Sequence, residues 1–135
     1  MQEPSDRVTA DEASDELSQL RRDWLRLLPR ITPENWRDSA GGKETVADLF
    51  AGLIAELDLA SSPNATPQFA LEFVRRRIAH KLSRRYSPRE IGTELERRYE
   101  RTAQALMDDP ETGHFGAVLQ RVRERVTRLR ERLEG

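Results

Sequence analysis

Five stretches of this chain carry apolar residues at three- and four-residue spacing, the repeat of an amphipathic helix. None alternates with the period of two that a half-buried strand needs. The first stretch is Leu17, Leu20, Trp24, Leu27 and Leu28. Thr9 and Glu12 stand ahead of it at capping-box spacing, and Pro29 ends it. The second, Thr45 to Leu57, is the most apolar segment of the sequence and predicts a central core helix ending near Ala60. Val46, Leu49, Phe50, Leu53 and Leu57 share one face of it, and Ala47, Ala51 and Ala55 form a small-residue row that lets a second helix approach. Between these two, Thr32-Pro33-Glu34-Asn35-Trp36 predicts a short capped turn, with Trp36 plugging one end of the core.

The third stretch, Gln68 to Arg85, has two apolar sides. Leu71, Val74, Ile78 and Leu82 predict one buried stripe; Phe69 and Phe73, with His80 near them, lie opposite. Such a helix is either wedged between other elements or shared between its own core and a partner subunit. The fourth opens on Ser87-Pro88-Arg89-Glu90, a capping box with proline at the first helical position. It buries Ile91, Leu95, Tyr99, Thr102, Ala103 and Leu106. The last runs from beyond Gly113 to Leu133 with Phe115, Val118, Leu119, Val122, Val126, Leu129 and Leu133 inward. The pattern predicts an all-α fold, a four-helix bundle with one extra crossover helix.

With 135 residues, one domain over residues 9–135 is expected, behind an acidic leader at residues 1–8. The absence of cysteine removes disulfides, thiolate nucleophiles and cysteine metal sites together. No apolar run approaches the roughly 18 residues that a membrane span requires, and the polar, acidic start does not resemble a secretory signal. No membrane association and a cytoplasmic location are therefore expected.

Charge narrows the chemistry further. Two histidines, His80 and His114, cannot make a three-histidine metal site; no His-x-x-x-His pair exists, and the one Glu-x-x-His spacing, Glu111 to His114, falls in the loop around Gly113 and not within a helix pattern. No metal and no cofactor are expected. Glu56 lies beside the apolar face of the core helix and is expected to pair with an arginine at the edge of the bundle. Gly42-Lys43 lacks the rest of a phosphate loop. The run Arg75, Arg76, Arg77, Lys81, Arg84, Arg85 and Arg89 holds seven cations and no acid. Arg75, Arg76 and Arg77 fan over about 200° of a helix, so a solvated or salt-bridged face is preferred to a nucleic-acid site.

The order of these features resembles the DinB-like superfamily, which includes mycothiol-dependent maleylpyruvate isomerases and related thiol-dependent transferases. Ile31-Thr32-Pro33-Glu34-Asn35-Trp36 is similar to its Leu-Thr-Pro-Glu-x-Trp segment. Thr45-Val46-Ala47-Asp48-Leu49-Phe50-Ala51-Gly52-Leu53 is similar to its Thr-Val-x-Asp-Val-Leu-Ala-His-Leu segment. The resemblance spans Leu17 to Leu133 and implies an up-down-down-up bundle with a ligand pocket between the helices. It places Gly52 where the family has its first metal histidine, Arg121 and Arg125 where a His-x-x-x-His pair would lie, and Glu44 at the tryptophan before Thr-Val. Those residues do not ligate the family's metal.

The expected function is therefore that of a non-catalytic binding or protein-interaction module. Its ligand pocket is expected at Gly52, Glu56, Arg121 and Arg125, and an interaction face, for a homodimer or another protein, at Phe69, Phe73 and His80. The alternatives are a divergent thiol-dependent transferase or isomerase, and a nucleic-acid-associated regulator using the basic run.

Overall fold

The structure is a computed structural model that describes residues 10–39, 44–61, 72–108 and 115–134, and of residues 10 and 72–76 the backbone alone. All its regular elements are helical. They are α1 (Ala10–Leu27), a 3-10 turn (Leu28–Arg30), α2 (Pro33–Trp36), α3 (Val46–Ser61), α4 (Glu72–Ser83), α5 (Pro88–Asp108) and α6 (Phe115–Leu133). The all-α reading of the sequence holds, with no strand among the described residues.

Three of these helices begin in the same way. A hydroxyl at the N-cap accepts the backbone N–H three residues on, and the side chain there accepts the N-cap N–H in return. Thr32 and Asn35 do this for α2, Thr45 and Asp48 for α3, and Ser87 and Glu90 for α5. Each box satisfies two backbone donors that a helix start leaves free. At the other end of α1, Pro29 tightens the chain into the 3-10 turn.

Helix α3 is the centre of the molecule. Twelve of its sixteen residues are buried, polar ones included, which requires neighbours on nearly every side. Helices α4, α5 and α6 all pack on it, while α1 packs on α5 and α6. The core joins Leu17, Leu20, Trp24 and Leu27 of α1 to the apolar face of α3, to Ile91, Leu95 and Leu106 of α5, and to the α6 stripe. Trp24 is fully buried and meets Tyr99 edge-on at 6.3 Å. Above that ring Arg21 lies 5.0 Å from its centroid and forks onto Glu96 at 2.8 and 2.9 Å. Trp36 is buried against Phe50, closing one end of the core.

Helix α4 departs from the sequence reading. Ile78 was expected in its buried stripe but is 45% exposed, and Ala79 and Ser83 turn inward instead. The cause is the helix it packs on. Asp48, in the first turn of α3, accepts from Ser83 and His80 of α4, which draws that side of α4 inward and leaves Ile78 outside. Thr9, Phe69, Leu71 and His114 lie outside the described residues, as do the side chains of Phe73, Val74, Arg75 and Arg76.

Candidate functional site

A carboxylate in the middle of the most apolar helix needs an explanation, because a buried charge is costly unless it is paired. Glu56 is 0% exposed. Its Oε1 accepts a hydrogen bond from Nε of Arg121 at 2.8 Å, and its Oε2 accepts one from Arg125 at 3.5 Å. Both arginines belong to α6 and are one turn apart, so they approach from the same face. Glu56, expected to pair at the edge of the bundle, pairs in its interior.

The network continues towards the start of α3. Arg125 also donates to Glu44 at 3.3 Å, and Arg128 donates to the second oxygen of Glu44 at 3.1 Å. Arg132 donates to the backbone carbonyls of Glu44 and Asp38. Four arginines on α6, at positions 121, 125, 128 and 132, thus follow the length of α3 and hold the segment that leads into it.

Gly52 makes room for this. A Cβ at that position would lie 2.8 Å from one terminal nitrogen of Arg125 and 2.9 Å from both Cζ and Nε, well inside normal contact. The Arg125 guanidinium lies flat against the α3 backbone where any other residue would put a side chain. Arg125 is 3% exposed, and its Nε meets no hydrogen-bond acceptor. The structure therefore brings Gly52, Glu56, Arg121 and Arg125 together, and the space beside Gly52 holds a guanidinium.

A second polar cluster joins α4 to the start of α3. The Asp48 carboxylate accepts the Thr45 N–H at 3.2 Å and lies 3.1 Å from Nδ1 of His80. Burial works against its charge, but the hydrogen bonds from Thr45, Ser83 and His80 outweigh it and hold the carboxyl below its ordinary value. A depressed carboxyl contributes stability that is present above the unfolded-state value of about 3.9 and is lost as pH falls through the folded-state value. Asp48→Asn keeps an acceptor for Thr45 and removes the charge. The acid limb of a urea-denaturation series should be shallower for this variant than for the native chain, with the two converging at the lowest pH. His80 itself, expected on an interaction face with Phe69 and Phe73, is exposed and bound to Asp48 of its own chain.

The described members of the basic run are Arg77, Lys81, Arg84, Arg85 and Arg89, and all are exposed. They do not join the Glu56 cluster. Elsewhere, Asp58 has its carboxyl pushed up by burial, against the opposing pull of Arg98 at 2.8 Å. Two concavities lie on the α1 side of the molecule. One, of 320 Å³, lies between α1 and α6 and is spanned by the ion pairs Arg123–Glu16 and Arg130–Asp23. The other, of 630 Å³, is an open groove between α1 and α5 over Leu25, Leu28 and Gly92. No helix among the described residues is long and apolar enough to cross a membrane. No group of three His, Asp or Glu among them could hold a metal ion.

Sequence reasoning missed Glu44 as a charge partner, and with it Arg128 and Arg132. The signal was available: positions 121, 125, 128 and 132 recur at helical spacing beside the apolar stripe, as a row of cations facing a helix does. The Thr45/Asp48 capping box was equally legible from its spacing. Comparison with protein-family models, with curated proteins and with solved structures finds no match in any of the three. Fold and site define this chain as an all-helical protein with a charged network between its most apolar helix, α3, and the arginine-rich α6.

Proposed function

We propose that this chain is a four-helix bundle of the up-down-down-up kind, on a DinB-like frame, in which an internal ion-pair network stands where the metal ligands would be, and that it works by binding and not by catalysis. The observation that carries the reading is the convergence of Gly52, Arg121 and Arg125. Sequence resemblance alone aligned these three with metal histidines, and they meet in one place around Glu56. Ligands of one metal must meet in this way, and so must the residues that replace them.

Helix directions support the frame. Arg21 pairs with Glu96 while Leu28, just past the end of α1, reaches Gly92, so α1 and α5 run oppositely. Glu16 pairs with Arg123 and Asp23 with Arg130, so α1 and α6 run together. Glu56 pairs with Arg121 while Gly52 meets Arg125, so α3 opposes α6. Helices α3 and α5 then point the same way, and a long return connection is needed between them. α4 fits that part.

The Glu56 carboxylate is matched by two guanidiniums, and no group of three His, Asp or Glu among the described residues could hold a metal ion. Protein purified without chelator should contain far less than one equivalent of nickel or zinc by elemental analysis. About one equivalent, retained through dialysis, would overturn the reading.

A further inference from the structure

The cations of α4 and the turn after it have a different status from those of α6. Arg121, Arg123, Arg125, Arg128 and Arg130 each meet a carboxylate. Arg77, Lys81, Arg84, Arg85 and Arg89 are exposed, and among the described residues none has an ion pair. The reason is local. The run contains no acid, and Asp48 and Glu90, two carboxylates close to it, are engaged in starting helices. Asp48 holds Thr45 and His80, and Glu90 accepts the Ser87 N–H. Neither is within ion-pair distance of one of these cations. Arg37 adds another, reaching across to donate to the Ser83 carbonyl at 3.0 Å.

These cations can act together. At about 100° per residue, Arg77 and Lys81 lie within about 40° of each other and roughly opposite Ala79 and Ser83, the residues that face α3. Arg84 and Arg85 follow in the turn, and Arg89, in the first turn of α5, borders the α1–α5 groove that begins beyond it. The cations from Arg77 to Arg85 extend over about 12 Å, a length along which a nucleic-acid duplex presents about seven phosphates. Four of the five are arginines, whose forked donors match phosphate oxygens.

We infer that this face binds the phosphate backbone of duplex nucleic acid without reading its sequence. The inference gives the binding module a partner class and rests on that reading. Single strands would need aromatic platforms for their bases, and the one aromatic ring of the turn, Tyr86, packs on the core. A membrane surface would need an apolar face to insert, but α4 spends its inward face on α3, and among its described side chains Ile78 is the one exposed large apolar residue. An acidic protein would want an apolar anchor at the centre of the contact for the same reason.

The test is fluorescence anisotropy with a labelled mixed-sequence DNA duplex, using the full chain. Binding should be present at about 50 mM salt and a few hundredfold weaker at about 200 mM, the response to releasing four or five counterions. The variant Arg84→Gln/Arg85→Gln/Arg89→Gln removes three exposed side chains and should melt like the native chain. It should bind at least tenfold more weakly at about 50 mM and lose about 2.7 from the slope of log K against log salt. No binding at low salt, or equal binding by the variant, would overturn the inference. So would association with vesicles containing phosphatidylserine in the absence of DNA binding. Failure here with a metal-free protein leaves the bundle reading standing, whereas stoichiometric metal removes that reading itself.

Discussion

Glu56→Ala is expected to destabilise the fold by about 3–5 kcal/mol, the cost of breaking a buried ion pair from one side. Glu56 is inaccessible to solvent, and Arg125, at 3% exposure, is nearly so. Removing the carboxylate leaves the guanidinium in the interior with Glu44, at 3.3 Å, as its one remaining carboxylate acceptor among the described residues, while Arg121, partly exposed, turns to water. The partial rescue by Glu44 puts the effect towards the lower end of that range. For a chain of this size the loss corresponds to roughly 10–20 °C in melting temperature. The isosteric replacement of the cluster makes the argument sharper. Glu56→Leu combined with Arg121→Leu and Arg125→Met should come out near the native stability, because an apolar set of similar volume avoids the desolvation cost altogether. A triple variant as damaged as Glu56→Ala would mean that the charges contribute something other than mutual neutralisation.

Gly52→Val is expected to cost about 3 kcal/mol or more, read from thermal or urea denaturation. Valine improves on glycine as a helix former by a few tenths of a kcal/mol, which opposes the effect without approaching it. The branched Cβ would overlap three atoms of a guanidinium that is itself tied to Glu56 and Glu44. An exposed arginine would swing away at little cost. Arg125 can leave only by giving up its carboxylates or by pushing α6 off α3, and either route loosens the core. Gly52→Ala brings the same three overlaps with less bulk and should cost less than valine.

Much of the fold was legible because its helices obey one rule. The apolar stripes of α1, α3, α5 and α6 recur at helical spacing, and Trp36 plugs the core end where its turn predicted. Ser87-Pro88-Arg89-Glu90 wrote its own helix start. Helix α4 was less legible. Ile78 and Leu82 have the spacing of a buried pair, but spacing cannot tell which side of a two-sided helix meets its neighbour. The partner, α3, settled it with the Asp48 carboxylate, which Ser83 and His80 turn towards. In the candidate site, Gly52, Glu56, Arg121 and Arg125 all stand out in the sequence, three of them as places where the resemblance puts histidines. What stayed hidden was that the glycine and the arginine are complementary. A glycine in a core helix reads as a loss of side chain, and an arginine beside an apolar stripe reads as surface. Only packing shows that the absence on one helix accommodates the presence on the other.

That complementarity is the centre of the account, and one double-mutant cycle tests it. Gly52→Ala is measured in the native background and again with Arg125→Met, which withdraws the guanidinium while keeping an unbranched apolar chain. The account predicts a change of sign. Alanine should destabilise by about 1–2 kcal/mol against the native Arg125, and should stabilise by up to about 1 kcal/mol, the ordinary helix preference of alanine over glycine, once methionine replaces it. The same effect in both backgrounds, within about 0.5 kcal/mol, would show that Arg125 does not lie on Gly52, and the proposed replacement of a metal centre by an ion-pair network would fall with it.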